Sequence, residues 1–345
     1  MSLRNIVQRC QMVSAAIRPH AGNLSDISEN TRVEYVRLAS LLITRARYAE
    51  HGLAEVVSNT TSSRTYFKRI AALRYFLHLQ HQQLVRDAYD GQSSALHSQL
   101  QEHLDQLQTF VALRQDGFGG ARRKRSSKRL ALIGLPDDWR SQLCRRGARG
   151  RYANALRVLA LSGCRPSELA NGVLVWREWE EGGGALILHI GINGTKVKAA
   201  QGQPYRCISY LADDPHPLVA ALNRQLNAEE EAYLHISVAS ARNLSVEIRR
   251  LARGLWPGHK HAITAYCFRH QWSADMKSLI DGDAVSRGLG HVSAKTRRLY
   301  GVASQVRQDG LKPIGVIADR LVRSGSGPVF TLAAVNVGDD PLHRC

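Results

Sequence analysis

Residues 116–129 set the first limit on how this chain can fold. The run Asp116-Gly117-Phe118-Gly119-Gly120-Ala121 leads straight into Arg122-Arg123-Lys124-Arg125-Ser126-Ser127-Lys128-Arg129. Glycines followed by six cations in eight residues cannot bury an apolar face, so no single core can pass through them. A chain of 345 residues is long enough for a full core on each side. The reading is therefore two domains, 1–115 and 135–305, joined by a basic linker over 116–134. A tail, 306–345, follows.

The first domain reads as helical. A stripe of Val33, Val36, Leu38, Leu41 and Leu42 predicts a helix over 31–50 with Asn30 as its N-cap. Phe67, Ile70, Leu73, Leu77 and Leu84 predict a second over 62–90. Leu100, Leu104, Leu107 and Val111, spaced four, three and four, predict a third over 94–113. Such stripes pack helix on helix as core. The second helix also carries Arg64, Lys68, Arg69 and Arg74, which fit either a solvated face or one turned toward DNA.

The charge balance narrows the partner. Forty-seven Lys and Arg stand against 29 Asp and Glu, for a net charge of +18. That excess favours a polyanion through counterion release. An anionic membrane surface is the rival. However, no stretch reaches the ~18 uninterrupted apolar residues of a spanning helix, and the N-terminus lacks the apolar run of a secretory signal; the expectation is a cytoplasmic, nucleoid-associated protein. The linker cations Arg122, Arg123, Lys124, Arg125, Lys128 and Arg129 suit a strap along phosphates, with a solvated charge run as the alternative. Six cysteines are scattered without a Cys-x-x-Cys pair, and read as reduced, buried thiols. His78, His81, His97 and His103 carry no accompanying metal motif, so no metal site is expected.

The second domain mixes helices with a hairpin. Asp137 or Asp138 can cap a helix through Trp139, and another spans about 150–162, ending at Gly163. Residues 185–190 and 205–210 read as strands around the turn dipeptide Asn193-Gly194, and helices resume after Pro217. Within this frame four segments stand out. They are Gly163-Cys164-Arg165-Pro166-Ser167-Glu168-Leu169, the hairpin Thr195-Lys196, Tyr266-Cys267-Phe268-Arg269-His270, and Leu289-Gly290-His291 with Tyr300. Singly each is weak, since an arginine ending a helix is usually a surface cation. Together, a phenol, an imidazole and two guanidiniums suffice to break a phosphodiester without a metal.

In this order and at these spacings, residues 135–305 resemble the catalytic domain of the tyrosine recombinases, the phage integrase family. The resemblance implies a fold that is mainly α with a small antiparallel β-sheet. It would have two domains, a helical core-binding domain and a mixed catalytic domain, forming a C-shaped clamp on double-stranded DNA. Tyr300 would attack the scissile phosphorus to give a 3′-phosphotyrosine. Arg165 and Arg269 would fork onto the non-bridging oxygens, and His291 would donate to the same phosphate or orient Tyr300. Lys196 would protonate the leaving 5′-oxygen, with Lys198, two positions on, as the alternative acid and a DNA contact. Glu168 suits a carboxylate that fixes a neighbouring basic side chain, and His270 a structural role.

One position departs from the family. Where it most often has histidine, three before the second arginine, this chain has Tyr266. A phenol donates to phosphate but is a poor general base near neutral pH, so base catalysis is weak here or falls to His291. The resemblance implies a site-specific recombinase or integrase of a mobile element. It would work without cofactor as a homo-tetramer on two duplexes, with room for accessory DNA-bending proteins. Two other readings use the same residues: a type IB topoisomerase or telomere resolvase, and a DNA-binding relative that has lost catalysis. In the tail, 314–321 reads as a short helix. The apolar stretch 329–337 reads as a strand or an arm, packing on its own chain or on a neighbouring protomer.

Overall fold

A computed structural model describes residues 3–17, 27–49, 52–89, 95–120, 128–199, 201–228, 232–307, 309 and 311–323. The chain divides into two compact units, Met1–Arg125 and Ser126–Cys345. The linker cations 122–125 and the apolar stretch 329–337 lie outside the described residues. No helix among those described is long and apolar enough to cross a membrane.

Among the described residues the first unit is five helices: α1 (Leu3–Ile17), α2 (Glu29–Arg47), α3 (Gly52–Ser58), α4 (Ser63–Tyr89) and α5 (Leu96–Asp116). Its core draws Leu73 and Leu77 from α4, and Leu100, Leu104, Leu107 and Phe110 from α5. Tyr66, also inside, donates its hydroxyl to the Leu113 carbonyl at 2.6 Å. The stripe read for α2 is displaced. Val33 and Leu41 are exposed, as is Phe67 on α4, while Tyr35, Leu38, Ala39, Leu42 and Ala46 face the core. The inward set steps by three or four residues; Val33, Val36 and Leu41 lie off that face. α2 also starts one residue before the expected cap, with Ser28 in the N-cap position. Arg69 does not look outward: its Nη1 donates to the carbonyls of Val56, Val57 and Asn59, each at 3.0 Å, closing the C-terminal end of α3. Lys68 pairs with Glu34.

His103 is wholly buried between these helices and stacks on His81 with ring centroids 5.7 Å apart. Burial, followed by the neighbouring His81, pushes its pKa down to about 4, so it is folded as the neutral ring. In the unfolded chain it takes a proton near its ordinary value. Its contribution is thus present above about pH 6.5 and is lost as pH falls toward 4, on the order of 3 kcal/mol in all. We expect the protection of α4 and α5 amides in the full chain, taken relative to their intrinsic exchange rates, to fall by up to ~10²-fold between pH 6.5 and 4.5, and much less in His103→Leu. Identical pH profiles for the two chains would rule His103 out as the acid-labile group.

The second unit opens with a 3-10 turn (Lys128–Leu132) and continues through α6 (Trp139–Arg146), α7 (Ala153–Ser162), α8 (Pro166–Asn171), β1 (Val173–Trp179), β2 (Leu186–Asn193) and β3 (Tyr205–Leu211). α9 (Pro217–Ala228), β4 (Tyr233–Ile236), α10 (Ala241–Leu255), α11 (Ala265–Leu279), α12 (Gly282–Gly288), α13 (Ala294–Arg297) and β5 (Gly315–Ala318) complete it. The strands form one antiparallel sheet in the order β4-β1-β2-β3-β5. α11 is buried without a break from Cys267 to Met276 and packs against α7. A helix enclosed on all sides shows no polar face, and this one carries Arg269, His270, Gln271 and Asp275 inside. Charge at such positions needs specific partners, which identifies α11 as the axis of the site.

Two local expectations fail here. Asn193-Gly194 is not the hairpin turn: Asn193 stays in the ladder opposite Tyr205, and residues 194–204 form an excursion that reverses at Lys198–Gln201. Gly194 is needed for close approach, because a Cβ there would strike the Gln203 carbonyl. The segment 314–321 is not a helix. Residues 315–318 pair with β3 as an edge strand, with Val316 inward and Ile317 outward. The free edge of β3 offers a row of hydrogen bonds, and a β-branched pair suits a pleat better than a helix.

Candidate active site

The site is assembled around one carboxylate. Glu168, fully buried on α8, accepts at Oε1 from Arg165 Nη1 (2.6 Å) and Arg206 Nη1 (3.2 Å). Its Oε2 accepts from the Arg165 backbone N–H (2.6 Å) and Arg206 Nη2 (2.7 Å). Local sequence explains the first half of this arrangement. Pro166 starts the helix, placing Arg165 at the N-cap and Glu168 three residues on, where its carboxylate folds back onto the cap's N–H. Burial pushes the Glu168 pKa up, but Arg206, its hydrogen bonds and Arg165 outweigh that and hold it at about 2. Arg206 is wholly buried on β3 and also donates from Nε to the Gly288 carbonyl at 2.8 Å. Gly290 (φ +66°) lies against both guanidiniums, with an added Cβ 3.0 Å from Arg206 Nη1 and 3.3 Å from Arg165 Nη1. A side chain there would be strained and crowded together.

Arg269 lies on α11 with no exposed surface. Its Nη1 donates to the Gly163 carbonyl at 3.0 Å; its Nη2 donates to the Leu289 carbonyl and to His291 Nε2, the latter at 3.1 Å. Burial, then Arg165, lowers its pKa to about 10, which leaves it charged near neutrality. Burial and the three arginines Arg269, Arg165 and Arg206 drive the His291 pKa down to about 2, so that ring is neutral. A guanidinium can only donate, hence Nε2 accepts and the imidazole proton sits on Nδ1. That Nδ1 and Arg269 Nε are buried donors without a hydrogen-bond partner among the described residues. Each such donor costs roughly 1–3 kcal/mol, and these two in one cluster can take an acceptor that the described residues do not supply.

Tyr300 closes the cluster. The Arg269 guanidinium carbon lies 4.7 Å from the centroid of its ring. The His270 and His291 rings flank it at 5.0 and 5.4 Å. Its backbone is pinned to α11: the Tyr300 carbonyl accepts from Lys277 Nζ (2.6 Å) and Ser273 Oγ (3.3 Å), and the Gly301 N–H donates to His270 Nδ1 (3.4 Å). Arg129 Nη2 donates to the Arg298 carbonyl at 2.7 Å, just ahead of the tyrosine. The structure therefore brings together Arg165, Glu168, Arg269, His270, His291 and Tyr300 from three separate stretches of sequence. Lys196 is exposed on the excursion between β2 and β3. Its neighbour Thr195 pairs with Ser167, two residues beyond Arg165, at 2.8 Å, so the base of that loop is tied to α8. Lys198 lies at the loop's reversal, where its carbonyl accepts from Arg320 Nη1 at 2.8 Å. Tyr266 stands exposed in the first turn of α11. Lys128 begins the 3-10 turn.

No family model and no curated protein matches the sequence. Two solved site-specific tyrosine recombinases are similar to this chain. XerA recombinase is 16% identical, covering 87% of this chain and 93% of its own, with a TM-score of 0.32. XerH site-specific recombinase bound to difH substrate is 16% identical, covering 86% and 90%, with a TM-score of 0.37. Likeness this distant assigns no chemistry, which has to come from the side chains themselves.

Several supporting residues escaped the sequence reading. Arg206 had a signal: it falls in phase with the inward Ile208 and Tyr210 of its strand, where an arginine requires a buried anion. Arg140, wholly buried, pairs with Asp275 of α11 at 2.7 Å and with Asp309. This latches the chain beyond Tyr300, together with Arg307, which donates to Asp137 and to the Leu132 carbonyl at 3.0 Å each. No spacing in the sequence joins Asp309 to Arg140. Removing the charge of Glu168 leaves two buried guanidiniums without their anion. We expect Glu168→Gln to lose about 3–5 kcal/mol of unfolding free energy in a denaturant titration of the second-unit transition. A loss within ~0.5 kcal/mol would show that the guanidiniums are satisfied elsewhere.

Proposed function

We propose that this chain is a DNA strand-transfer enzyme of the tyrosine recombinase type. The reading is carried by the convergence of Tyr300 on Arg269 and His291, in a cluster with two buried donors lacking an acceptor. A phosphodiester oxygen is an acceptor of the right charge for Arg269 Nε and His291 Nδ1. The Tyr300 oxygen attacks phosphorus in line, its phenolic proton passing to solvent water, as the P–O5′ bond breaks, giving a 3′-phosphotyrosine. Lys196 Nζ delivers a proton to the departing 5′-oxygen and recovers one when the strand is rejoined. Arg165 and Arg269 stabilise charge gathering on the non-bridging oxygens. Neutral His291 serves as a hydrogen-bond donor through Nδ1, not as a cation. His270 and Glu168 act through others, holding the backbone after Tyr300 and the orientation of Arg165. Because the ester conserves the bond's free energy, rejoining to a second strand needs no cofactor. Lys128, Arg129 and the linker cations 122–125 follow the duplex backbone, and a tetramer on two duplexes exchanges strands in pairs.

The decisive measurement is covalent trapping on a nicked duplex carrying the true site. Wild type should form an adduct that Tyr300→Phe does not. Arg165→Gln and Arg269→Gln should each slow it by about 10²–10³. A wild-type chain that shifts DNA in gels but never forms the adduct would leave a binding protein. Relaxation of supercoiled DNA without recombinants would indicate a topoisomerase.

The acid can be tested separately. A sulfur leaving group needs no protonation, so a 5′-bridging phosphorothiolate should restore cleavage to Lys196→Ala. Rescue of Lys198→Ala alone would transfer the role to that residue.

A further inference from the structure

Apart from the Tyr300 cluster, the second unit holds a cavity with an unusual lining. It has a volume of about 180 Å³ and lies between the C-terminal half of α10 and the loop leading into α11. Arg249, Arg253, Trp256, His259, Lys260 and His261 face it, and no acidic residue does. α10 explains how the cations gather. Leu244, Ile248 and Leu251 bury one face, and the helix turns Arg249 and Arg253, four residues apart, onto another side. Glu247, the acid of this helix, is taken by Arg250 at 2.7 Å, which does not line the cavity. Arg253 and Lys260 have no hydrogen bond or ion pair among the described residues. The far wall is fixed, because His259 Nε2 lies 3.0 Å from the Ala131 carbonyl, a donation that leaves its Nδ1 edge for the cavity side or solvent. Trp256 packs partly on the core.

We propose that this cavity seats a phosphodiester of the DNA substrate other than the one that is cut. Arg249, held by the Ser245 carbonyl, and the exposed Arg253 and Lys260 gather on one concave wall without a counter-charge, where they repel each other until an anion enters. The space exceeds many times the ~10–15 Å³ that one water needs, so a hydrated phosphate group fits. Arginine forks match its oxygens, and Trp256 offers an apolar wall to the adjoining sugar. None of Arg165, Arg269, His291 or Tyr300 lines it, so it is a second anchoring point and not part of the cleavage centre. The loop that lines it ends at Ile263, and Thr264 then caps α11, the helix carrying Arg269. A phosphate held there bears on the same rigid element as the cleavage centre, and so fixes the duplex in register over it. The inference rests on DNA being the substrate.

The test is the salt dependence of binding by the full chain to a labelled duplex of arbitrary sequence, followed by fluorescence anisotropy. Arg253→Gln with Lys260→Gln should flatten the slope of log K against log salt by about 0.9 for each phosphate no longer neutralised, at most about 1.8. Arg145→Gln with Lys312→Gln removes the same charge outside the cavity and should change the slope much less. Both substituted pairs are exposed, so thermal unfolding should match wild type and confirm folding. Equal slopes for the cavity pair and wild type would overturn the site, as would equal flattening by both pairs, which indicates bulk charge. An occupant that is an acidic protein surface would also leave the DNA slope unchanged. A wild-type chain that fails to bind duplex at all would instead defeat the recombinase reading itself.

Discussion

Glu168 carries its charge where no water reaches, and the geometry of the site follows from that. An isolated buried carboxylate would neutralise itself. This one stays ionised because two guanidiniums and a backbone N–H occupy its lone pairs. The dependence runs the other way as well. Arg165 and Arg206 lie close enough that both border the same glycine, and without the anion between them they would drive each other apart. Three elements are fixed by this contact: the start of α8, the start of β3, and the Leu289-Gly290-His291 turn that Arg206 reaches through the Gly288 carbonyl. Arg165 engages Glu168 through Nη1 alone among its side-chain nitrogens, so the rest of its fork is oriented yet uncommitted. This is the condition for binding an oxyanion without reorganisation.

Tyr300 is held differently. Its backbone is fastened to α11 by Lys277, Ser273 and His270, and the residues after it are latched through Asp309, Arg307 and β5. Its ring packs partly on the core and meets the Arg269 guanidinium and the tilted rings of two neutral imidazoles. Such contacts are worth about 0.5–2 kcal/mol each. The main chain is therefore fixed while the ring can leave its present packing at modest cost. Since Arg269 has no exposed surface under that ring, a phosphate reaching its Nε requires the ring to turn. In the proposed reaction the phenol and the guanidinium it covers belong to one chain, so the same side-chain motion would open the anion site and free the phenol.

What could be read from the sequence divides along a physical line. Three of the four short segments were legible because each is local: Pro166 sets Arg165 and Glu168 three apart on a helix start, and His291 and Tyr300 share a short stretch. Helix α5 was legible because its apolar spacing is unambiguous. α2 was not, because it carries apolar residues on two sides, and which side packs is decided by its neighbours rather than by its own period. The strand at 315–318 and the pairing of Arg140 with Asp309 are long-range choices: the first depends on a vacant edge of β3, the second on a carboxylate 169 residues away. The excursion at 194–204 was misread because a glycine needed for a carbonyl's close approach looks identical, in sequence, to one needed for a turn.

Under the proposed strand transfer, the charges of the cluster favour one state of the reaction over another. Arg165, Arg206 and Arg269 are cationic, Glu168 is the one anion among them, and His291 is held neutral, so the site carries a net charge of +2. A phosphodiester brings one negative charge, and as a fifth oxygen closes on phosphorus the non-bridging oxygens approach a second. On that proposal the cluster would be under-neutralised by a bound phosphodiester and balanced by the structure between substrate and product, the relation that lowers a barrier rather than deepening the ground state. A protonated His291 would tip that balance toward tight binding of the uncut strand. Burial beside three guanidiniums, which keeps the imidazole uncharged, is therefore as much a part of the chemistry as the arginines that cause it.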